Sequence, residues 1–215
     1  MLEALNLECL RGARTLFSQL NFQLSGGRLL HVQGANGCGK TTLLRILCGL
    51  TPPSAGEILW KGESIHTWGS DFQRELCYLG HHNALKEGLS PLENVRIAAQ
   101  LAQRPISDAT ARAALLHMGI TDAEGQTCQA LSQGQRRRVA LSRLVFDTSP
   151  LWILDEPYVA LDGTSLARTA ALIAAQLNAG RQVVLTTHQA VALPGVAVNA
   201  ALPLRLEEIE TRENF

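Results

Sequence analysis

Two periodicities divide the chain. From Leu2 to Leu10 and from Leu16 to Leu24, apolar residues recur in part at every second position, which is strand spacing. Arg11-Gly12-Ala13-Arg14 between them reads as a turn, and Ser25-Gly26-Gly27 as a second one. Leu29-Leu30-His31-Val32 is a short apolar strand. A glycine-rich loop follows it, then the helix-like run Leu43-Leu44-Arg45-Ile46-Leu47, ending near Gly49. Thr51 to Gly56 is a loop, Glu57 to Trp60 a strand with a Lys61-Gly62 turn, and Leu76 to Leu79 a strand that stops at Gly80-His81-His82.

The period then changes to that of helices. Ser90-Pro91-Leu92-Glu93 predicts a helix start, with Ser90 as cap, Pro91 in the first position and Glu93 closing a capping box. Asp108 to Met118 is a second helix; Leu131-Ser132-Gln133-Gly134-Gln135 precedes a third, Arg136 to Phe146. This block, about residues 83–147, falls between strands of the core and reads as a helical subdomain inserted in one domain spanning 1–215. Leu151-Trp152-Ile153-Leu154 is wholly apolar, as in a parallel sheet covered on both faces, and stops at Asp155-Glu156. A helix over Ser165 to Leu177 and an apolar strand over Val183 to Thr187, ending at His188, come next. Val196 to Glu210 reads as strand. The class is α/β: a parallel-sheet core with an N-terminal antiparallel β part.

Composition narrows the setting. The 215 residues suffice for one sizeable core. Nineteen Lys and Arg balance nineteen Asp and Glu, which argues against a nucleic-acid partner. No apolar run reaches the roughly 18 residues of a membrane span; Ala190 to Leu206 is broken by Pro194, Gly195, Asn199, Pro203 and Arg205. The N-terminus has no basic region of a secretory signal. The five cysteines contain no C-x-x-C pair and read as reduced thiols of a cytosolic protein.

The chemistry is carried first by Gly34-Ala35-Asn36-Gly37-Cys38-Gly39-Lys40-Thr41-Thr42, which fits G-x-x-x-x-G-K-[ST] between a strand and a helix. Glycines there let backbone amides approach an anion, and the helix N-terminus adds partial positive charge. Lys40 is placed for the β- and γ-phosphates of a nucleoside triphosphate, and the Thr41 hydroxyl for Mg²⁺. Cys38 serves as small filler whose oxidation or alkylation should block nucleotide access. Asp155 and Glu156 leave a strand at the edge where ligands bind in doubly wound sheets. Asp155 suits Mg²⁺, directly or through water; Glu156 suits orienting or deprotonating an attacking water. His188, at the same edge, can donate to the γ-phosphate or the leaving group. Ser132 and Gln135 have capping-box spacing, and a capped helix N-terminus is also an anion site.

With these residues in hand, the chain resembles the ATP-binding cassette (ABC) ATPases over nearly its whole length. The phosphate loop, Leu131-Ser132-Gln133-Gly134-Gln135 and Leu151 to Pro157 look like the Walker A, signature and Walker B motifs; Ala160-Leu161-Asp162 and Thr187-His188 look like the following loop and the switch histidine. The resemblance implies a homodimer, head to tail, with ATP between one copy's phosphate loop and the other's signature helix. Ser132 and the Gly134 amide, beside Gln135, would meet the γ-phosphate across the interface, and Asp162 would organise it. Three departures stand out. His81 falls where the family usually has glutamine, and its protonation would add pH dependence; His82 is the alternative for that place. Gln133 replaces a common glycine, so positive φ should be avoided there. Arg11 stands where an aromatic usually stacks on adenine, and a guanidinium can stack on a base.

The spelling of Leu131 to Leu144, Leu151 to Pro157 and Leu185 to Gln189 is similar to the branch of short ATPase subunits of cytochrome c biogenesis (haem export) complexes. That branch implies integral-membrane subunits as partners, a haem chaperone reached indirectly, and a peripheral place on the cytoplasmic face of the bacterial inner membrane. The competing readings are an ATPase of another ABC transporter, a soluble ABC ATPase acting on ribosomes or DNA, and a phosphate-loop kinase or GTPase, for which the signature and His188 have no use.

Overall fold

The computed structural model describes residues 1–189, 192–197 and 200–206. Two sheets organise it. Strands β1 (Leu2–Arg11), β2 (Arg14–Leu24), β4 (Ala55–Trp60) and β5 (Glu63–Ser64) form an antiparallel sheet in the order β2-β1-β4-β5. Strands β3 (Leu29–Gln33), β6 (Leu76–Leu79), β7 (Leu151–Asp155), β8 (Gln182–Thr186) and β9 (Ala201–Arg205) form a parallel sheet in the order β6-β7-β8-β3-β9. Every residue of β7 and β8 is buried, as their near-continuous apolar runs require of strands covered on both faces.

Helix α1 (Lys40–Leu47) follows the phosphate loop and buries Leu43, Leu44, Ile46 and Leu47. With Trp60, Leu2 and Leu24 of the antiparallel sheet and Ile153 and Val184 of the parallel one, they make the first core. The other face is closed by α7 (Gly163–Asn178), whose Ala170, Ile173 and Leu177 pack with Trp152, Tyr158 and Leu185. Between β6 and β7 stand α4 (Pro91–Leu101), α5 (Asp108–His117) and α6 (Gln133–Ser142) around their own cluster of Leu92, Val95, Leu115 and Val139.

The Ser90–Glu93 capping box forms on α4 as its spelling predicts. Three differences have local causes. Residues 65–75, unassigned from the sequence, hold α2 (Ile65–Trp68) and α3 (Ser70–Glu75), split by Gly69 at φ 53°, so neither half sustains a helical period. Helix α6 begins at Gln133, three residues ahead of the expected Arg136, because Ser132 caps it and its first turn has no apolar residue to mark it. The expected terminal strand is confined to Ala201–Arg205; residues 196 and 197 are outside any strand, and 207–210 lie outside the described residues. Pro203 sits in β9, an edge strand, where the missing N–H is tolerated. Among the described residues no helix is long and apolar enough to cross a membrane.

Candidate active site

Parallel strands deliver their C-terminal ends to one edge. Val32 pairs with Thr186, Thr186 with Asp155, and Leu79 with Leu154, so the phosphate loop, Asp155, Thr187-His188 and Gly80-His81 all leave the sheet on the same side. There a cavity of about 450 Å³ is lined by Asn36, Gly37, Lys40, Thr41, His81, Asp155, Glu156, Val159 and His188. Eight of these nine residues, singled out from four separate stretches, thus face one space.

The phosphate loop has little room for side chains. A Cβ on Gly34, at φ 150°, would lie 2.5 Å from Cys38 Sγ and 2.6 Å from the Leu206 carbonyl oxygen. Cys38 is accordingly buried under the loop, where its thiol fills space and is shielded from reagents. Gly39, at φ 105°, caps α1 without a side-chain bond, and no acid occupies the first turn, so the amide end of α1 is open to an anion. Ala35 is exposed and Thr42 half-buried at the start of α1. Lys40 Nζ donates to the carbonyls of Gly34 (2.8 Å) and Ala35 (2.9 Å), which holds the ammonium over the loop.

Asp155 joins the two sides. Its Oδ2 accepts from Thr41 Oγ1 at 2.7 Å and its Oδ1 from Thr186 Oγ1 at 2.7 Å. Strand β8 lies between β3 and β7, so Thr186 sits under this link. The Thr186 hydroxyl also accepts the Glu156 amide at 2.9 Å. Glu156 takes φ 48°, a left-handed conformation that costs a non-glycine residue about 1–3 kcal/mol and recurs at functional sites. Its Oε1 is buried without a hydrogen bond and stands 3.5 Å from His188 Nε2, an ion-pair distance. Hydroxyl and carboxylate oxygens 2.7 Å apart are the donor set a hard cation takes when substrate phosphates and water complete its shell. The residues present therefore fit Mg²⁺ beside a nucleotide phosphate, with a cradle at Gly34 that only glycine can form.

The remaining candidates lie elsewhere on the chain. Ser132 and Gln135 form a full capping box on α6: Ser132 Oγ accepts the Gln135 amide at 3.2 Å, and Gln135 Oε1 accepts the Ser132 amide at 2.9 Å. Gly134 allows close passage of α6, since a Cβ there would lie 2.7 Å from the Ala160 carbonyl oxygen. Gln133 is helical and has no positive φ, as anticipated. Asp162 caps α7, accepting the Ser165 amide at 2.7 Å; that hydrogen bond holds its carboxyl below the usual range. None of these five lines the Lys40 cavity. Arg11 ends β1 opposite Arg14, and it is Leu16 and Phe17, further along the hairpin, that approach Gly39. His82 stacks edge-on to His81 at 5.6 Å and lines a neighbouring groove of about 360 Å³ with Arg45, Tyr78 and Arg143.

Two residues escaped the sequence reading. Thr186 follows the apolar Val183-Val184-Leu185 at full burial, and a polar residue in that position was the available signal. Arg137 lies in the run Arg136-Arg137-Arg138, which looks like a solvated face. Yet Arg137, Ala140, Leu141 and Leu144 follow the i, i+3, i+4, i+7 spacing of a buried stripe, and Arg137 is 4% exposed.

Fold and site together define a phosphate-loop cassette, and the chain belongs to the ABC transporter family, whose model matches residues 17–159. Within that family it is similar to cytochrome c biogenesis ATP-binding export proteins CcmA. It is 56% identical to that of Dechloromonas aromatica (strain RCB), over 92% of this chain and 97% of the relative. It is 46% identical to that of Nitrosospira multiformis, over 92% and 96%. Among solved structures, an ABC transporter ATP-binding protein from Pyrococcus furiosus superposes with a TM-score of 0.79 at 22% identity, covering 95% of this chain and 96% of that one. A dimeric ATP-binding cassette in a post-hydrolysis state with ADP and Pi matches with 0.79 at 20%, covering 96% of each. At those identities the two structures speak for the fold alone. The family match removes the kinase and GTPase reading.

Proposed function

We propose that this chain is the ATP-hydrolysing subunit of an ABC complex acting in cytochrome c biogenesis. The observation that carries the ATPase reading is the single cavity gathering Lys40, Thr41, His81, Asp155, Glu156 and His188 at the phosphate loop. Identity of 56% to a cytochrome c biogenesis export protein, over nearly the full length of both, supports the setting.

In this reading the chain is one ATP-binding unit over 1–215, and the block at about 83–147 moves against the core. The loop Gly34 to Thr42 and Lys40 hold the β- and γ-phosphates. Thr41 and Asp155 hold Mg²⁺, which supplies charge neutralisation and polarisation of the transferred phosphoryl group. Glu156 orients or deprotonates the attacking water. Its Oε1, which accepts no hydrogen bond, is an acceptor already in place. His188 and His81 donate at the same edge, and Arg11 stacks on adenine. Two copies assemble head to tail, so that Ser132, Gly134 and Gln135 of one meet the γ-phosphate held by the other and Asp162 lines the seam. The exposed setting of Ser132 and Asp162, away from their own copy's cavity, supports this. The subunit is peripheral on the cytoplasmic face of the bacterial inner membrane, with integral-membrane subunits docked in the groove near His81 to Leu89 and a haem chaperone acted on indirectly.

The test is purification from solubilised membranes with bound partners, followed by ATPase assay with and without haem and the chaperone. Co-purification with integral-membrane subunits and a haem-responsive rate are expected. Recovery on ribosomes or as a lone soluble protein would refute the assignment.

A further inference from the structure

Helix α6 carries the signature residues at its N-terminus and Arg137 one turn further in. The Arg137 guanidinium reaches the hydrolysis site from behind. Its Nη2 donates to the backbone carbonyls of Asp155 (2.9 Å) and Glu156 (2.8 Å). Its Nη1 donates to the Gly80 carbonyl (3.2 Å) and to Asn83 Oδ1 (3.0 Å). Both terminal nitrogens therefore have two acceptors each, while Nε is buried without one. The two pairs of acceptors belong to the two segments that matter for chemistry: the end of β7 bearing Glu156, and the loop bearing His81.

We propose that Arg137 is a positioning residue for ATP hydrolysis, clamping the backbone of Glu156 and the Gly80–Asn83 loop to helix α6 so that the Glu156 carboxylate stays aimed at the phosphate loop. The proposal rests on the role given to Glu156 above. Glu156 is held from both sides: its amide donates to Thr186 Oγ1 and its carbonyl accepts from Arg137 Nη2. Without the second hold, a residue at φ 48° has little reason to keep that conformation. Four acceptors at fixed directions need a planar fork. Lysine offers one nitrogen and glutamine one amide, so neither can serve both segments. Burial pulls the guanidinium down to a pKa of about 10, against the opposing charges of Asp155 and Glu156, and it keeps its charge at neutral pH. The cation thus sits behind the acids without entering the cavity: Arg137 does not line it.

The test uses the full chain with Arg137→Lys and Arg137→Gln, each alone and with Glu156→Gln. Steady-state ATPase, nucleotide affinity and thermal melting are measured on each. Misplacement by a fraction of an ångström slows a positioned reaction strongly, so kcat should fall about tenfold or more in both single variants, with KM and ATP affinity within about twofold. In the Glu156→Gln background the same changes should move the residual rate by less than about twofold, because the effect runs through Glu156. Unchanged kcat, a parallel loss of affinity, or additive losses in the double variants would overturn the proposal. So would melting of both single variants below assay temperature, since Arg137 would then hold the fold rather than the site. If Glu156→Gln alone hydrolyses ATP at the native rate, the assignment of Glu156 fails first, and that outcome is distinct from a normal rate in Arg137→Lys.

Discussion

Single side chains carry most of what the spacing of the sequence reveals. Gly34, Lys40, Thr41 and Asp155 are legible because each motif names a backbone turn or a ligand at a fixed offset, and the folded chain puts Thr41 and Asp155 in contact. Thr186 and Arg137 are not legible in that way. Their value depends on burial and on partners 31 and 18 residues away, which no local pattern encodes. The sharpest expectation at this scale concerns Glu156. Its carboxylate lies near His188, lines the cavity that Lys40 also lines, and belongs to no apolar core cluster, so Glu156→Gln should leave folding and ATP binding intact. Loss of a general base costs about 10²–10⁴ in rate, and turnover should fall by that factor. Equilibrium nucleotide binding alongside single-turnover hydrolysis separates the two quantities.

Among elements, those with strong caps or full burial announce themselves. Helix α4 has its Ser90–Glu93 box, and β7 and β8 have their apolar runs. Helices α2 and α3 are too short to show a period, and the polar opening of α6 hides its start. Capping makes a stability prediction. Ser90 Oγ accepts the Glu93 amide, and Glu93 Oε2 accepts both the amide and the hydroxyl of Ser90. Ser90→Ala should therefore cost about 1 kcal/mol, read as a lower denaturant midpoint at constant m. Those same donors hold the Glu93 carboxyl below its ordinary value. A depressed carboxyl contributes stability that is present above the unfolded pKa and lost as pH falls through the folded one. The wild-type advantage over Ser90→Ala should accordingly shrink in acid and persist at neutral pH. Helix α6 is tied to the end of β6 at two points, near its middle by Arg137 to the Gly80 carbonyl and at its C-terminal cap by Arg143 to the Tyr78 carbonyl.

For the molecule as a whole, the α/β class and the antiparallel N-terminal part were readable from periodicity. Strand order was not, because pairing of distant strands leaves no trace in local spacing. That order sets the geometry of the site: β8 separates the strand of the phosphate loop from the strand of Asp155, leaving the gap that Thr41 and Thr186 span. The proposed pairing of two copies is also a whole-molecule matter. Ser132 is exposed at the tip of α6 while the cavity of its own chain lies elsewhere. Ser132→Arg should leave ATP binding to the single copy unchanged and abolish ATP-dependent dimers. Sedimentation of the Glu156→Gln protein with and without that change, in the presence of ATP, is the check.

The placing of β3 in its sheet reaches into how the protein is made. Its two neighbours are β8 and β9, with Leu29 beside Val183 and Ala201, and the Leu206 amide closes onto the Gln33 carbonyl. The phosphate loop leaves the ribosome well before residues 182–205, which supply both strands beside β3. A growing chain halted before residue 182 would carry the complete nucleotide motif without either strand that flanks β3, and stalled chains of that length are expected to retain no nucleotide until those strands have emerged.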